Sequence, residues 1–220
     1  MKKSRKEPKE MSEGNLFVAA KIFWPEGEWI PQKKYKYDPG NKRKHYQTDC
    51  ASEKLKTVLE YEGPPHYRDV WKGKKDEERK QFFIDMGYKF LRWPYYLQLT
   101  KDVAKHFFEN SYSDEKYQKA IIEIYKTDRP ELVLSPGLHE SEHTPANFTS
   151  FGVRRFMKEL DELPKSAKAQ VAESLRRYIN SVDDKYLVIG EQDSFEDLLK
   201  MSISKEELKV SYHYSPVDNG

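Results

Sequence analysis

Residues 55–62, LKTVLEYE, constrain the fold more than any other stretch of the chain. Thr57, Val58 and Leu59 read as the middle of a buried strand, yet the strand runs on into Glu60 and Glu62 and stops at Gly63-Pro64-Pro65-His66. Side chains alternate along a strand, so Val58, Glu60 and Glu62 share one face while Leu59 and Tyr61 share the other. An acid every second residue at the end of an apolar strand needs a reason, because buried like charges repel. A tight turn at Glu53-Lys54 would pair Ser52 with Leu55 and set Asp49 opposite Val58, diagonal to Glu60. Diagonal neighbours lie roughly 7–8 Å apart, a gap that one cation can bridge. A hard divalent cation such as Mg²⁺, which takes oxygen ligands, relieves the repulsion. The competing reading is an exposed strand face with scattered acids, and the apolar TVL beside them argues against it.

The surrounding pattern is helix, three strands, helix, strand, which defines an α/β core. Ser12 is an N-cap for a helix through EGNLFVAAKIF, where Leu16, Ala19, Ala20 and Phe23 repeat at helical spacing. WIPQKKYKY, HYQTDCA and LKTVLEYE read as strands. KKDEERKQFFIDMG reads as a helix with Asp76 as N-cap and Gly87 as C-cap, and YKFLRWPYY as the next strand. KDVAKHFFEN and DEKYQKAIIEIYK follow as helices. Past Arg129-Pro130 the texture becomes loop-rich, then helical at 153–163 and 166–179, with a short strand in KYLVIGEQD and a helix in SFEDLLKM.

Charged residues make up 35% of the chain and hydrophobic ones 37%, so the core is modest, and 15 tyrosines and 11 phenylalanines must carry much of it. No apolar run reaches membrane-spanning length. The charged start MKKSRKEPKE reads as a disordered basic arm rather than a secretory signal. A single cysteine, Cys50, excludes an internal disulfide framework and a multi-cysteine zinc site. These features lead us to expect a soluble cytoplasmic protein without membrane partners. Net charge is only +2, but PQKKYKYDPGNKRKH concentrates Lys33, Lys34, Lys36, Lys42, Arg43 and Lys44 around Tyr35 and Tyr37. That interleaving suits phosphate contact and base stacking. It equally suits a lysine-protected hairpin edge.

Taken together, Asp49-x-Ala51, then KTVLEYEGPPHY, then KDEERKQFFIDMGYKFLRWP resemble the PD-(D/E)XK nuclease superfamily, closest to the branch of very-short-patch repair endonucleases and small related nuclease domains. The resemblance spans about residues 12–95. It implies a restriction-endonuclease-like mixed β-sheet flanked by helices over residues 12–129, preceded by the arm at 1–11. Residues 130–220, mainly helical, would serve target recognition or dimerisation. It further implies a Mg²⁺-dependent endonuclease acting on double-stranded DNA, with Mn²⁺ able to substitute, in a restriction or phage-defence system and as a homodimer if it cuts both strands. A strand-nicking repair or mobile-element nuclease, and a silent DNA- or protein-binding relative, are the alternatives.

By the same resemblance Asp49 and Glu60 are metal ligands, joined by the backbone carbonyl of Tyr61. Glu62 stands where most of the superfamily has lysine, so it becomes the acceptor of a proton from a metal-bound water, or a ligand of a second ion. His66 matches a histidine near the scissile phosphate, although it equally caps the turn. Glu13 would orient a metal-bound water, although an acid in a helix's first turn is also favoured by the dipole. Gln32 and Lys34 would share a strand face toward the nucleic acid, with Lys42, Arg43 and Lys44 beside them. Asp76 and Arg79 match the helix of the family pattern, but an N-cap and a surface arginine explain them too; Arg92 is expected to pair with an acid. HESEH, with His139 and His143, fits the zinc-protease spacing, but Pro136, Gly137 and Pro145 bracket it as a loop.

Overall fold

The computed structural model describes residues 11–38, 44–128 and 148–164, together with 167 and 171. The basic arm, Lys42, Arg43, the HESEH segment and the elements expected beyond residue 171 lie outside the described residues.

Helix α1 (Glu13–Phe23) begins where the Ser12 side chain accepts the Asn15 N–H at 3.3 Å and buries Leu16, Ala19, Ala20, Ile22 and Phe23. Strands β1 (Ile30–Pro31) and β2 (Lys34–Lys36) follow, then β3 (His45–Gln47), β4 (Cys50–Ser52) and β5 (Thr57–Glu62). A one-turn helix α2 (Pro65–Arg68) leads into α3 (Val70–Asp85), which returns the chain to β6 (Lys89–Pro94). Helices α4 (Lys101–Phe108), α5 (Asp114–Tyr125) and α6 (Ser150–Glu162) complete the described chain. The result is mixed α/β: a four-stranded sheet in the order β1-β4-β5-β6, a two-stranded sheet β2-β3, and flanking helices. Strands β1, β4 and β5 pair antiparallel, while β5 and β6 run parallel across the α2–α3 crossover.

The expected strands WIPQKKYKY and HYQTDCA are each broken in two. Ile30 pairs with Ala51 and Pro31 with Cys50; Lys34, Tyr35 and Lys36 then pair with Gln47, Tyr46 and His45. Both ladders therefore keep one register, and hydrogen bonds from Gln32 N to Asp49 O (3.0 Å) and from Thr48 N to Lys33 O (2.9 Å) bridge the gap. The break is a kink inside a single hairpin, made by the left-handed φ of 52° at Gln32. Gln32 and Lys34 are consequently not on one straight strand. The next hairpin also differs from expectation. Ser52 pairs with Thr57 rather than Leu55, and Cys50 with Leu59, because the turn takes the four residues 53–56. This slip of two residues preserves side-chain parity, so Asp49 stays on the face of Glu60 and comes opposite it rather than diagonal.

Two cores follow from the alternation in β5. Leu59 joins Leu16, Phe23, Trp93, Phe108, Ile121 and Phe156 on one side. Val58 joins Tyr35, Ala51, Phe83 and Tyr88 on the other, beneath α3. Glu60 and Glu62 extend the Val58 side. Helix α3 starts six residues before the expected N-cap: Asp69 caps it, accepting from Trp71 N at 2.8 Å and Lys72 N at 3.2 Å. The first turns offered no apolar stripe to read, since Trp71 is exposed and lysines surround it. Asp76 thus lies inside the helix and is buried. Helix α6 is held at its start by Thr149, whose N–H and hydroxyl both donate to the Tyr67 carbonyl, at 3.1 and 3.2 Å. A side chain at Gly152 would collide with that same carbonyl.

Candidate metal centre

The acids at the end of β5 meet two different environments. Glu60 is 2% exposed, and its Oε2 lies 3.0 Å from Arg79 Nη2 on α3. Its other oxygen, Oε1, is buried without a hydrogen-bond partner. Burial pushes the Glu60 carboxyl up to about 8 against the opposing pull of Arg79, with Asp49 and Asp76 adding to the rise. Asp49, at the hairpin kink, accepts the Tyr61 N–H at 2.6 Å through Oδ2. Its carboxyl is also raised, by burial first and by Glu13 among the nearby charges, despite that hydrogen bond.

The backbone around Tyr61 follows strand geometry. The Glu62 carbonyl accepts Tyr95 N–H at 3.0 Å, so residue 62 faces β6 along the ladder. Residue 61 faces the opposite way, and its carbonyl leaves the strand on the side where its N–H meets Asp49. The Tyr61 carbonyl thus faces β4, and the register sets Asp49 opposite Glu60; carboxylate and carbonyl oxygens are the donor types that a hard divalent cation takes. The unpartnered Glu60 Oε1 is the atom such an ion would satisfy.

Glu62, fully buried, lies against two guanidiniums: Arg92 Nε is 3.1 Å from Oε1, and Arg155 Nη2 from α6 contacts Oε2. Arg155 Nη1 also reaches Asp76 Oδ2 at 3.2 Å, and Arg155 Nε reaches Glu159 Oε1 at 2.9 Å. Glu159 Oε2 in turn accepts the hydroxyls of Tyr67 (2.7 Å) and Tyr96 (3.0 Å). His66 Nδ1 lies 2.5 Å from Asp76 Oδ2, with Arg79 Nη2 at 3.4 Å from Oδ1. Among the described residues, Glu62, His66 and Asp76 form a group whose ligand atoms lie within 4.8 Å of one another.

Of the residues expected from sequence, Asp49, Glu60, Tyr61, Glu62 and His66 gather at the β5 end. Glu13 is exposed, and its Oε1 accepts from Gln32 Nε2, while Gln47 Nε2 donates to Gln32 Oε1. Lys34 is exposed on the separate ladder opposite Gln47, and Lys44 pairs with Asp38 at 3.2 Å. Arg92 does pair with acids, Glu62 and, at 2.6 Å, Glu77. Asp76 and Arg79, each open to two readings from sequence, are neither an N-cap nor a surface arginine, and both face the acids of β5. Their i, i+3 spacing on one helix face was the available signal. Arg155 and Glu159 come from 93 and 97 residues beyond Glu62, and nothing local marks them.

A cavity of about 420 Å³ opens beside Arg92 and Arg155, between β6, α4 and α6. Lys80, Arg92, Arg154, Arg155, Lys158 and His106 line it together with Glu77, Glu159 and Glu162. Among the described residues no helix is long and apolar enough to cross a membrane. The chain matches no family model, no curated protein and no solved structure.

Proposed function

We propose that this chain is a divalent-metal-dependent DNA endonuclease of the PD-(D/E)XK kind, serving restriction or phage defence. The observation that carries the reading is the pairing of Asp49 with Glu60, whose Oε1 is buried and unpartnered. Two carboxyls raised by burial and set opposite each other favour either protons or a cation between them. The element order adds support, with an acid-bearing hairpin, a helix-covered acidic strand and a parallel strand beyond it. The cavity beside Arg92 and Arg155, lined also by Lys80, Arg154 and Lys158, suits a phosphate backbone.

Asp49, Glu60 and the Tyr61 carbonyl would hold Mg²⁺, or Mn²⁺ in its place. Bound there, the ion would lower the pKa of water and neutralise charge on a phosphoryl oxygen. Arg79 holds the Glu60 carboxylate in place from the α3 side. Glu62, flanked by two guanidiniums, is better suited to fixing charge than to accepting a proton. His66, against Asp76, is held as an oriented imidazole. Residues 130–220 would add target recognition or a homodimer contact for double-strand cleavage.

A second reading has its own observation. Arg79 already neutralises Glu60, so the chain can be a silent relative that only binds DNA or a protein. Incubation with plasmid DNA, with and without Mg²⁺, separates the cases. Discrete fragments that require Mg²⁺ support restriction, and nicked circles support the single-strand alternative. Intact DNA at every metal concentration, with retained binding, favours the silent reading.

A further inference from the structure

We infer that Arg155 is the built-in second cation of this centre: its guanidinium takes the Glu62–His66–Asp76 position, so the chain accepts one divalent ion and gains a second only when Arg155 is removed. The inference rests on the reading of Asp49 and Glu60 as an ion site.

The Glu62–His66–Asp76 group has what a metal site needs in ligand type and spacing. Two carboxylates and an imidazole within 4.8 Å suit a first-row divalent ion such as Zn²⁺ or Mn²⁺. Two of those three ligands are committed to Arg155, through Nη1 to Asp76 and Nη2 to Glu62. The guanidinium is fixed from behind as well. Its Nε meets Glu159, which the Tyr67 and Tyr96 hydroxyls anchor, and its Cζ lies 5.1 Å from the Tyr67 ring centre. The side chain is 5% exposed, so water does not screen these pairs as it would at a surface.

The Glu62–Asp76 position already holds a positive charge, the Arg155 guanidinium. A divalent ion there would bring two more positive charges beside it in a largely buried centre. Without Arg155, Glu62 and Asp76 lose that partner, and the vacated space adjoins the His66 ring.

The test counts ions on the full-length chain with Mn²⁺, by the loss of the free-ion electron paramagnetic resonance signal. We expect one Mn²⁺ per chain for the wild type, two for Arg155→Met, and one again for Arg155→Met combined with His66→Ala. Two ions on the wild type would overturn the inference, as would one ion on a folded Arg155→Met. No ion on the wild type would instead overturn the Asp49–Glu60 reading. The Arg155 assignment would then stand only if Arg155→Met gains an ion that His66→Ala removes. If Arg155→Met does not fold, the wild type alone decides through the ¹⁵N resonances of the His66 ring during Zn²⁺ titration. Resonances unmoved at saturation support the inference, and a metal-coordination shift overturns it.

Discussion

Asp49 and Glu60 differ from Glu62 in one physical respect, which is what neutralises them. Glu62 has a guanidinium on each oxygen, whereas Glu60 has one oxygen on Arg79 and one with no partner. Removing charge at these positions should therefore fail in different ways. Asp49→Asn or Glu60→Gln should lower Mg²⁺-dependent cleavage on the order of 10²-fold or more while DNA binding holds or tightens, because phosphate then meets less negative charge. Single-turnover cleavage with saturating enzyme checks this, and near wild-type rates in either variant would sink the assigned ion site. Glu62→Gln takes a fully buried carboxylate from Arg92 and Arg155, which keep Glu77, Asp76 and Glu159, and breaking a buried ion pair costs up to about 3–5 kcal/mol. Its first effect should be a lower Tm, seen by circular dichroism before any rate is measured. A variant with unchanged Tm and a large rate loss would return Glu62 to the role of proton acceptor or ion ligand.

At the scale of elements, α6 matters because it delivers Arg155. Its approach depends on Gly152, where any side chain would meet the Tyr67 carbonyl. Gly152→Ala should cost about 1–3 kcal/mol through this overpacking and loosen Arg155 from Glu62. Urea denaturation checks the cost, and an unchanged midpoint would mean that α6 packs otherwise. The two basic surfaces can be ranked in the same way. Replacing Lys80, Arg154 and Lys158 by alanine should lower the slope of log affinity against log salt by about 0.9 per lost phosphate contact. The same experiment on Lys42, Arg43 and Lys44 tests the basic segment read from sequence, and whichever triple leaves the slope unchanged does not touch DNA. Much of this arrangement was legible from residues. Alternation in LKTVLEYE placed Glu60 and Glu62 on one face, and the parity of that face survived a two-residue error in the turn. The kink at Gln32 was not legible, because a left-handed φ at glutamine has no sequence mark comparable to glycine. Nor was the start of α3, whose first turns bury little apolar surface. Arg155 was hidden for another reason: its partner lies far along the chain, and only packing brings them together.

For the whole molecule, the raised carboxyls couple folding to pH, and the proposed ion would couple it to metal. The Glu60 carboxyl is raised to about 8 in the folded chain, from an ordinary value near 4.5 when unfolded, and Asp49 is raised as well. Between those values the folded state holds more protons than the unfolded one, so stability falls as pH rises. Its contribution is complete below the unfolded value and is lost as pH climbs through about 8. Without divalent ions, Tm should therefore decline from pH 5 to pH 8 by more than in a Glu60→Gln variant, whose amide does not titrate. On the proposed reading Mg²⁺ would bind the ionised pair in the folded state alone, raising Tm most at pH 8 and least at pH 5. Thermal denaturation of wild type and Glu60→Gln across this range, with and without Mg²⁺, measures both effects. A wild-type curve that parallels Glu60→Gln would show that Glu60 does not carry the linkage. A Mg²⁺ effect of equal size at both ends of the range would place the ion away from these carboxyls. On the proposed reading, Mg²⁺ would supply at pH 8 the stabilisation that the Glu60 proton supplies at pH 5.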